Sequence, residues 1–174
     1  MQIPNVPVSL QQIKTGRQRE TLQGLWARYV EVLSQFRNFE KPAQKIAQEE
    51  AAGQDDRTDH LIMLGNDPVG FIAIGRYPNS FTKTDVFVQE FFVLPERQRQ
   101  GIGTKAVKKF LEEQSLPEVS MFILRNNAPA LNFWDNAMLT AGYFDRLRAG
   151  NINAITFDGK FYFRYYVKEE EEEQ

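Results

Sequence analysis

Residues 86–111 read VFVQEFFVLPERQRQGIGTKAVKKFL, and the fold turns on them. Residues 86–94, rich in aromatic and β-branched side chains, read as a strand. The strand runs through Pro95-Glu96-Arg97-Gln98-Arg99-Gln100 into Gly101-Ile102-Gly103 and straight into a helix over 103–114, where Ala106, Val107, Phe110 and Leu111 share one face. Two glycines open backbone conformations closed to other residues, so successive N–H groups can turn inward as an anion-binding nest. The helix start adds the positive end of its dipole, and Arg97, Arg99, Lys105, Lys108 and Lys109 add charge nearby. Phosphate is the expected guest.

Working outward, Pro117 breaks the chain and residues 119–124 form a further strand, which completes a strand, helix, strand unit. Residues 128–141 follow as a helix, with Leu131, Trp134 and Met138 at inward spacing and Gly142 as its stop. Strands at 152–157 and 161–167 close the chain through Asp158-Gly159, a strong hairpin signal. Upstream, residues 10–39 carry Leu22, Leu25, Trp26, Tyr29, Val30, Leu33 and Phe36 at the spacing of an amphipathic helix. A shorter polar helix is expected over 43–52, closed by Gly53. The runs 61–64 and 69–74 read as a hairpin around Gly65-Asn66-Asp67-Pro68, and 78–83 as a loop. The chain is therefore expected to be one α/β or α+β domain, with a mixed central sheet flanked by helices, over residues 1–168.

Composition agrees. The 174 residues are 42% hydrophobic and 25% charged, the proportions of a globular domain with one core. No apolar run approaches the roughly 18 residues needed to span a bilayer, and residues 1–10 lack the pattern of an export signal, so a cytoplasmic protein without membrane contact is expected. The absence of cysteine excludes disulfides, thiolate zinc sites and a cysteine nucleophile, and a single histidine, His60, excludes multi-histidine metal sites. No metal is expected. The net charge of −2 conceals an acidic run, Glu169 to Glu173, without which 21 basic residues face 18 acidic ones. Residues 169–174 read as a solvated tail.

Residues 101–106 satisfy the dinucleotide fingerprint G-x-G-x-x-A in letters only. The fingerprint wants glycine almost directly after the strand and an acidic residue about twenty positions on, where this chain has Met121-Phe122-Ile123-Leu124. The triphosphatase loop G-x-x-x-x-G-K-[ST] has no match. A nucleic-acid surface made of the basic loop and helix fits poorly with the negative net charge, so no nucleic-acid partner is expected.

The stretch Gln98-Arg99-Gln100-Gly101-Ile102-Gly103, after a strand ending Val93-Leu94 and before a basic amphipathic helix, resembles the acyl-coenzyme A loop Q/R-x-x-G-x-G/A of the GNAT superfamily of N-acetyltransferases. A second block agrees: Ala130 and Trp134 follow Asn127 by three and seven residues, where the family commonly has N-x-x-A-x-x-x-Y. The order of two N-terminal helices, three antiparallel strands, loop and helix, strand, helix and closing strands is also the family's. Within it, Glu90-Phe91-Phe92-Val93 is similar to the polyamine acetyltransferases, while the block from Asn127 to Trp134 looks more like a subgroup of acetyltransferases of unnamed substrate.

The resemblance implies an acetyl-CoA-dependent transfer of an acetyl group to the primary amine of a small molecule or peptide, by direct attack of the amine on the thioester. Its alternative is a non-catalytic acyl-CoA-binding or interaction domain of the same fold. It places the pyrophosphate on backbone N–H groups of Gln98, Arg99, Gln100, Gly101, Ile102, Gly103 and Thr104, and the pantetheine beside Phe91, Phe92 and Val93. It brings Asn127 to the pantetheine, with Asn132 as a neighbour; Asn127 also suits a helix N-cap. A base must take a proton from the ammonium, and Glu90 is the only carboxylate within residues 86–94. Strict alternation puts Glu90 on the face opposite Gln89 and Phe91, and the family's glutamate often stands where Gln89 does; a bulge would restore it. At the position of the family's tyrosine acid stands Trp134, whose indole is no useful acid at neutral pH. Tyr143 is the candidate to reach back, against the reading of a core tyrosine. Dimers are common in the family, and the aromatic C-terminal strand offers one candidate edge for a homodimer, although the sequence does not fix the oligomeric state.

Overall fold

A computed structural model of the chain describes residues 5–76, 86–152, 154–156 and 158–170. The expected loop at 78–83 and most of the acidic tail lie outside them. The elements are β1 (Val8–Gln12), α1 (Gly16–Leu33), α2 (Ala43–Ala51), β2 (Arg57–Leu64), β3 (Asp67–Arg76), β4 (Val86–Val93), a 3-10 turn at Pro95–Arg97, α3 (Ile102–Gln114), β5 (Glu118–Leu124), α4 (Ala128–Thr140), β6 (Tyr143–Asp145), α5 (Arg146–Ala149), β7 (Ile155–Thr156) and β8 (Phe161–Lys168). They form one mixed sheet in the order β1-β2-β3-β4-β5-β8-β6, with β7 also on β8. Among the described residues the β4–β5 pair alone is parallel.

The sheet is covered on both faces. On one, Leu22, Trp26 and Val30 of α1 and Ala47 of α2 bury against Phe71 and Phe92. On the other, Val107 and Phe110 of α3 and Trp134 and Met138 of α4 bury against Ile72, Val88 and Met121. Phe71/Ile72 and Phe91/Phe92 thus send neighbouring residues to opposite layers, as a strand buried on both faces requires.

Three expectations are corrected. The N-terminal helix begins at Gly16 rather than near residue 10, because Val8–Gln12 pairs antiparallel with β2 from Val8↔Leu64 to Gln12↔His60. Thr15 then starts the helix with a capping box, accepting from the Gln18 amide while the Gln18 side chain accepts from the Thr15 amide. Second, β6 and α5 follow Gly142, where no element was expected; Gly142, at φ +84, ends α4 and turns the chain straight into β6. Third, β8 is not a sheet edge. It pairs with β5 from Phe161 to Val167, and on its other side with β7 at Phe161–Tyr162 and with β6 at Tyr166–Lys168. The hairpin at Asp158-Gly159 is present, with positive φ at both residues, but β7 is only two residues long. Residue 157, at the end of the expected strand, lies outside the described residues.

The acidic run does not wholly leave the fold. The amide of Glu169 donates to the carbonyl of Gly142 at 2.9 Å, one residue beyond the expected domain boundary.

Candidate functional site

β4 and β5 touch at one end and part at the other. Cα partners between them are Phe87↔Ser120 and Val88↔Met121; beyond these each strand continues without the other. The Leu94 amide donates to Val69, so the backbone of Leu94 and Phe92 faces β3, and alternation turns the N–H and C=O groups of Phe91 and Val93 toward the gap. Of the three residues expected along the pantetheine, Phe91 and Val93 therefore offer main-chain groups there and Phe92 does not. The gap opens into a cavity of about 450 Å³ whose walls include Tyr29, Glu90, Phe91, Asn127 and Trp134.

The position of Glu90 depends on a bulge. Ala73 pairs with Glu90 and Ile74 with Val88, so Gln89 has no partner across the ladder. An extra residue reverses the alternation of side chains beyond it. Val88 consequently buries beside α3 and α4, whereas Glu90 points with Phe92 toward α1 and meets Tyr29. The Tyr29 hydroxyl donates to Glu90 Oε2 at 2.6 Å. Burial raises the Glu90 carboxyl to about 7, against the Tyr29 hydrogen bond, which favours the charged form. The Tyr29 phenol is pushed well above its ordinary value by burial and by the adjacent carboxylate, so it remains a donor. Tyr29 belongs to the apolar stripe of α1, where its hydroxyl was the sequence's hint at a partner other than the core.

The opposite wall is aromatic. Phe91 stacks on Phe133 with centroids 5.3 Å apart and meets Trp134 edge-on at 5.1 Å. Trp134 is buried and also lines the cavity, at the place expected from its spacing to Asn127. Asn127 caps α4, its Oδ1 accepting from the Ala130 amide at 3.2 Å, and it also lines the same cavity. Asn132 is exposed on the outer side of α4 and is not brought to the site. Tyr143 does not reach back: it is buried and donates to the Leu116 carbonyl at 2.5 Å, on the far side of the α3/α4 core.

The loop after β4 has the backbone its sequence promised. Gly101, at φ +76, is the N-cap of α3 and supplies no side-chain cap, and the first helical bond of that turn is from Lys105 to Gly101. The amides of Ile102, Gly103 and Thr104 are thus left at the helix start as donors. Arg99 also takes a positive φ of 60°, and the Gln98 side chain donates to the Val93 carbonyl at 2.8 Å, tying the loop to the end of β4. Packing gives Gly103 a reason of its own to lack a side chain. A Cβ there would lie 2.9 Å from the Phe133 ring, so its smallness admits α4 against α3. Among the described residues no group of His, Asp or Glu side chains is placed to hold a metal ion, and no helix is long and apolar enough to cross a membrane.

The described sheet thus splays at its parallel pair, with an uncapped helix start beside the split. The model of the acetyltransferase (GNAT) family matches residues 23–138, more than half of the chain, and the chain belongs to that family. Solved structures agree on the fold. An acetyltransferase from Thermus thermophilus superposes with a TM-score of 0.66 at 12% identity, over 92% of this chain and 96% of that one. The PaiA N-acetyltransferase from Thermoplasma acidophilum, in complex with coenzyme A, gives 0.65 at 13% identity, over 94% and 99%. The aminoglycoside acetyltransferase AAC(6′)-Ib, also with coenzyme A, gives 0.65 at 15% identity, over 92% and 95%. No curated protein sequence matches the chain significantly.

Proposed function

We propose that this protein is an acetyl-CoA-dependent N-acetyltransferase that acylates a primary amine in the cavity between β4 and β5. The observation that carries the reading is Glu90: a bulge brings a carboxyl with a pKa of about 7 into the cavity, hydrogen-bonded to a tyrosine that holds its proton. A general base works best when its pKa lies near the operating pH.

The chain's own groups suit such a donor. The free amides of Ile102, Gly103 and Thr104, with Gln98 to Gly101 leading into them, would hold a pyrophosphate at the positive end of α3. The gap-facing main chain of Phe91 and the N–H of Val93, whose carbonyl already accepts from the Gln98 side chain, would pair with the amides of a pantetheine arm, as an added strand edge would. Bound acetyl-CoA would supply an acyl thioester open to an amine nucleophile. An amine of pKa about 10 arrives mostly as the ammonium, so its proton must be removed before attack. Tyr29 occupies Oε2 of Glu90 and leaves Oε1 to accept that proton. Phe91 and Trp134, with Phe133 stacked behind Phe91, make that side of the cavity apolar.

The reading is tested by amine-dependent release of free thiol from acetyl-CoA across a panel of amines. Thiol release above background with at least one amine is expected. Coenzyme A binding with no turnover of any amine would instead support a binding domain, the reading that Trp134 at the tyrosine position favours.

Trp134 supplies a further test. With the indole at the thiolate, Trp134→Tyr places a phenol of pKa about 10 there, while Trp134→Phe opens a similar cavity without an acid. The Tyr variant is expected to turn over faster than the Phe variant at equal acetyl-CoA affinity, with a basic limb in its pH profile alone. Equal rates would reduce Trp134 to a wall.

A further inference from the structure

The cavity that holds Glu90 adjoins a second, wider groove of about 920 Å³, and the two share Arg37, Leu124 and Phe161 as walls. The groove lies between the end of α1, the β5–α4 loop and the β7–β8 turn. Its mouth is held by Asn126, whose side-chain amide donates to the Phe36 carbonyl at 2.8 Å across the opening. An acceptor longer than its reacting amine can extend into this space.

The groove is electrically one-sided. Arg37, Arg125 and Lys160 line it, with Asp158 as the only carboxylate among the described lining residues. Among the described residues no carboxylate lies within ion-pair distance of these three cations. Two of the guanidinium groups are held in place by rings and backbone: Arg125 donates to the Gly159 carbonyl at 2.9 Å and lies 5.4 Å from the Tyr162 ring, and Arg37 lies 4.7 Å from the Phe39 ring. Such positioned guanidinium groups, without an ion-pair partner among the described residues, favour oxyanions and repel polycations.

We infer that the acceptor amine carries an anionic group, a carboxylate or a phosphate, which the groove binds through Arg37, Arg125 and Lys160 while the amine reaches Glu90. This inference rests on the acetyltransferase reading of the adjoining cavity. It distinguishes the acceptor from polyamines, whose additional ammonium groups would face the same three cations.

The test compares amines that differ only in the anion. γ-Aminobutyrate is set against its amide, O-phosphoethanolamine against ethanolamine, an acidic tetrapeptide with a free N-terminus against a basic one, and spermidine completes the set. At low ionic strength at least one anionic member is expected to exceed its neutral or basic counterpart about tenfold or more in kcat/KM. The advantage should collapse toward one in Arg125→Glu/Lys160→Glu, with the KM for acetyl-CoA unmoved. The carboxylate and phosphate arms then identify which oxyanion is preferred. Preference for spermidine or the basic peptide overturns the inference and leaves the acetyltransferase reading standing. A rise in the acetyl-CoA KM of the double variant, without a change in amine selectivity, overturns it by assigning the groove to the donor. Coenzyme A binding with no turnover of any member overturns both.

Discussion

Glu90→Gln is expected to lower turnover by about a hundred- to ten-thousandfold at neutral pH, the range for loss of a general base, while coenzyme A binds as before. The same substitution should stabilise the protein at alkaline pH. Burial raises the folded-state pKa of Glu90 from 4.5 to about 7, so its contribution to stability is complete below pH 4.5 and is lost as pH rises through 7. At pH 8 the buried charge costs at most about 3 kcal/mol, and glutamine, neutral throughout and still able to accept from Tyr29, escapes that cost. Melting curves of the two proteins should coincide near pH 4 and separate by pH 8, with the variant higher. In the wild type the rate should rise with pH through about 7, and this limb should be missing from the variant. Tyr29→Phe is the companion, since loss of its hydrogen bond moves the Glu90 pKa, and with it the limb, to higher pH. A variant that keeps its rate would remove Glu90 from the chemistry and leave the cavity without a base among its described walls.

The second large effect is expected at the start of α3. Thr104→Glu puts a carboxylate on the third residue of the helix, where it stabilises the free protein by a few tenths of a kcal/mol through the helix dipole. Against a bound pyrophosphate the same charge costs on the order of 3 kcal/mol, or about a hundredfold in affinity. The opposite signs make this variant more informative than Gly103→Glu, whose side chain would first collide with Phe133 and so confound binding with repacking. Thermal shift reads both quantities: a slightly higher melting temperature without ligand, and loss of the rise that coenzyme A gives the wild type. An undiminished rise would place the phosphates elsewhere.

The loop and cap of the candidate site were legible in the sequence because backbone conformation there leaves a residue signature. Gly101 at positive φ, the helix that follows it and the strand before it all stand where their letters put them, and Asn127 caps the helix its position announces. What escaped has no local signature. The bulge at Gln89 arises from pairing between Ala73/Ile74 and Val88/Glu90, and no residue within β4 marks it, yet it decides which face Glu90 occupies. Tyr29 comes to Glu90 from 61 residues away in the chain, disguised as one more apolar position on α1. The charged groove is built from three separate segments that no spacing rule connects. β1 was missed for another reason: Val8–Gln12 is short and runs into the helical pattern, although Thr15 and Gln18 already form a T-x-x-Q capping signature that marks the true start of α1. The edge assigned to the C-terminal strand failed because β6 and β7, which cover it, are only three and two residues long and too short to show a period.

Residue-resolved amide hydrogen exchange with and without coenzyme A tests the central claim, that the gap between β4 and β5 is the acyl-donor site. Protection should appear at Phe91 and Val93, whose N–H groups face the gap, and at Ile102, Gly103 and Thr104 at the start of α3, while Phe92, already paired with β3, stays unchanged. Protection confined to other segments, or none at a coenzyme A concentration that raises the melting temperature, would contradict it.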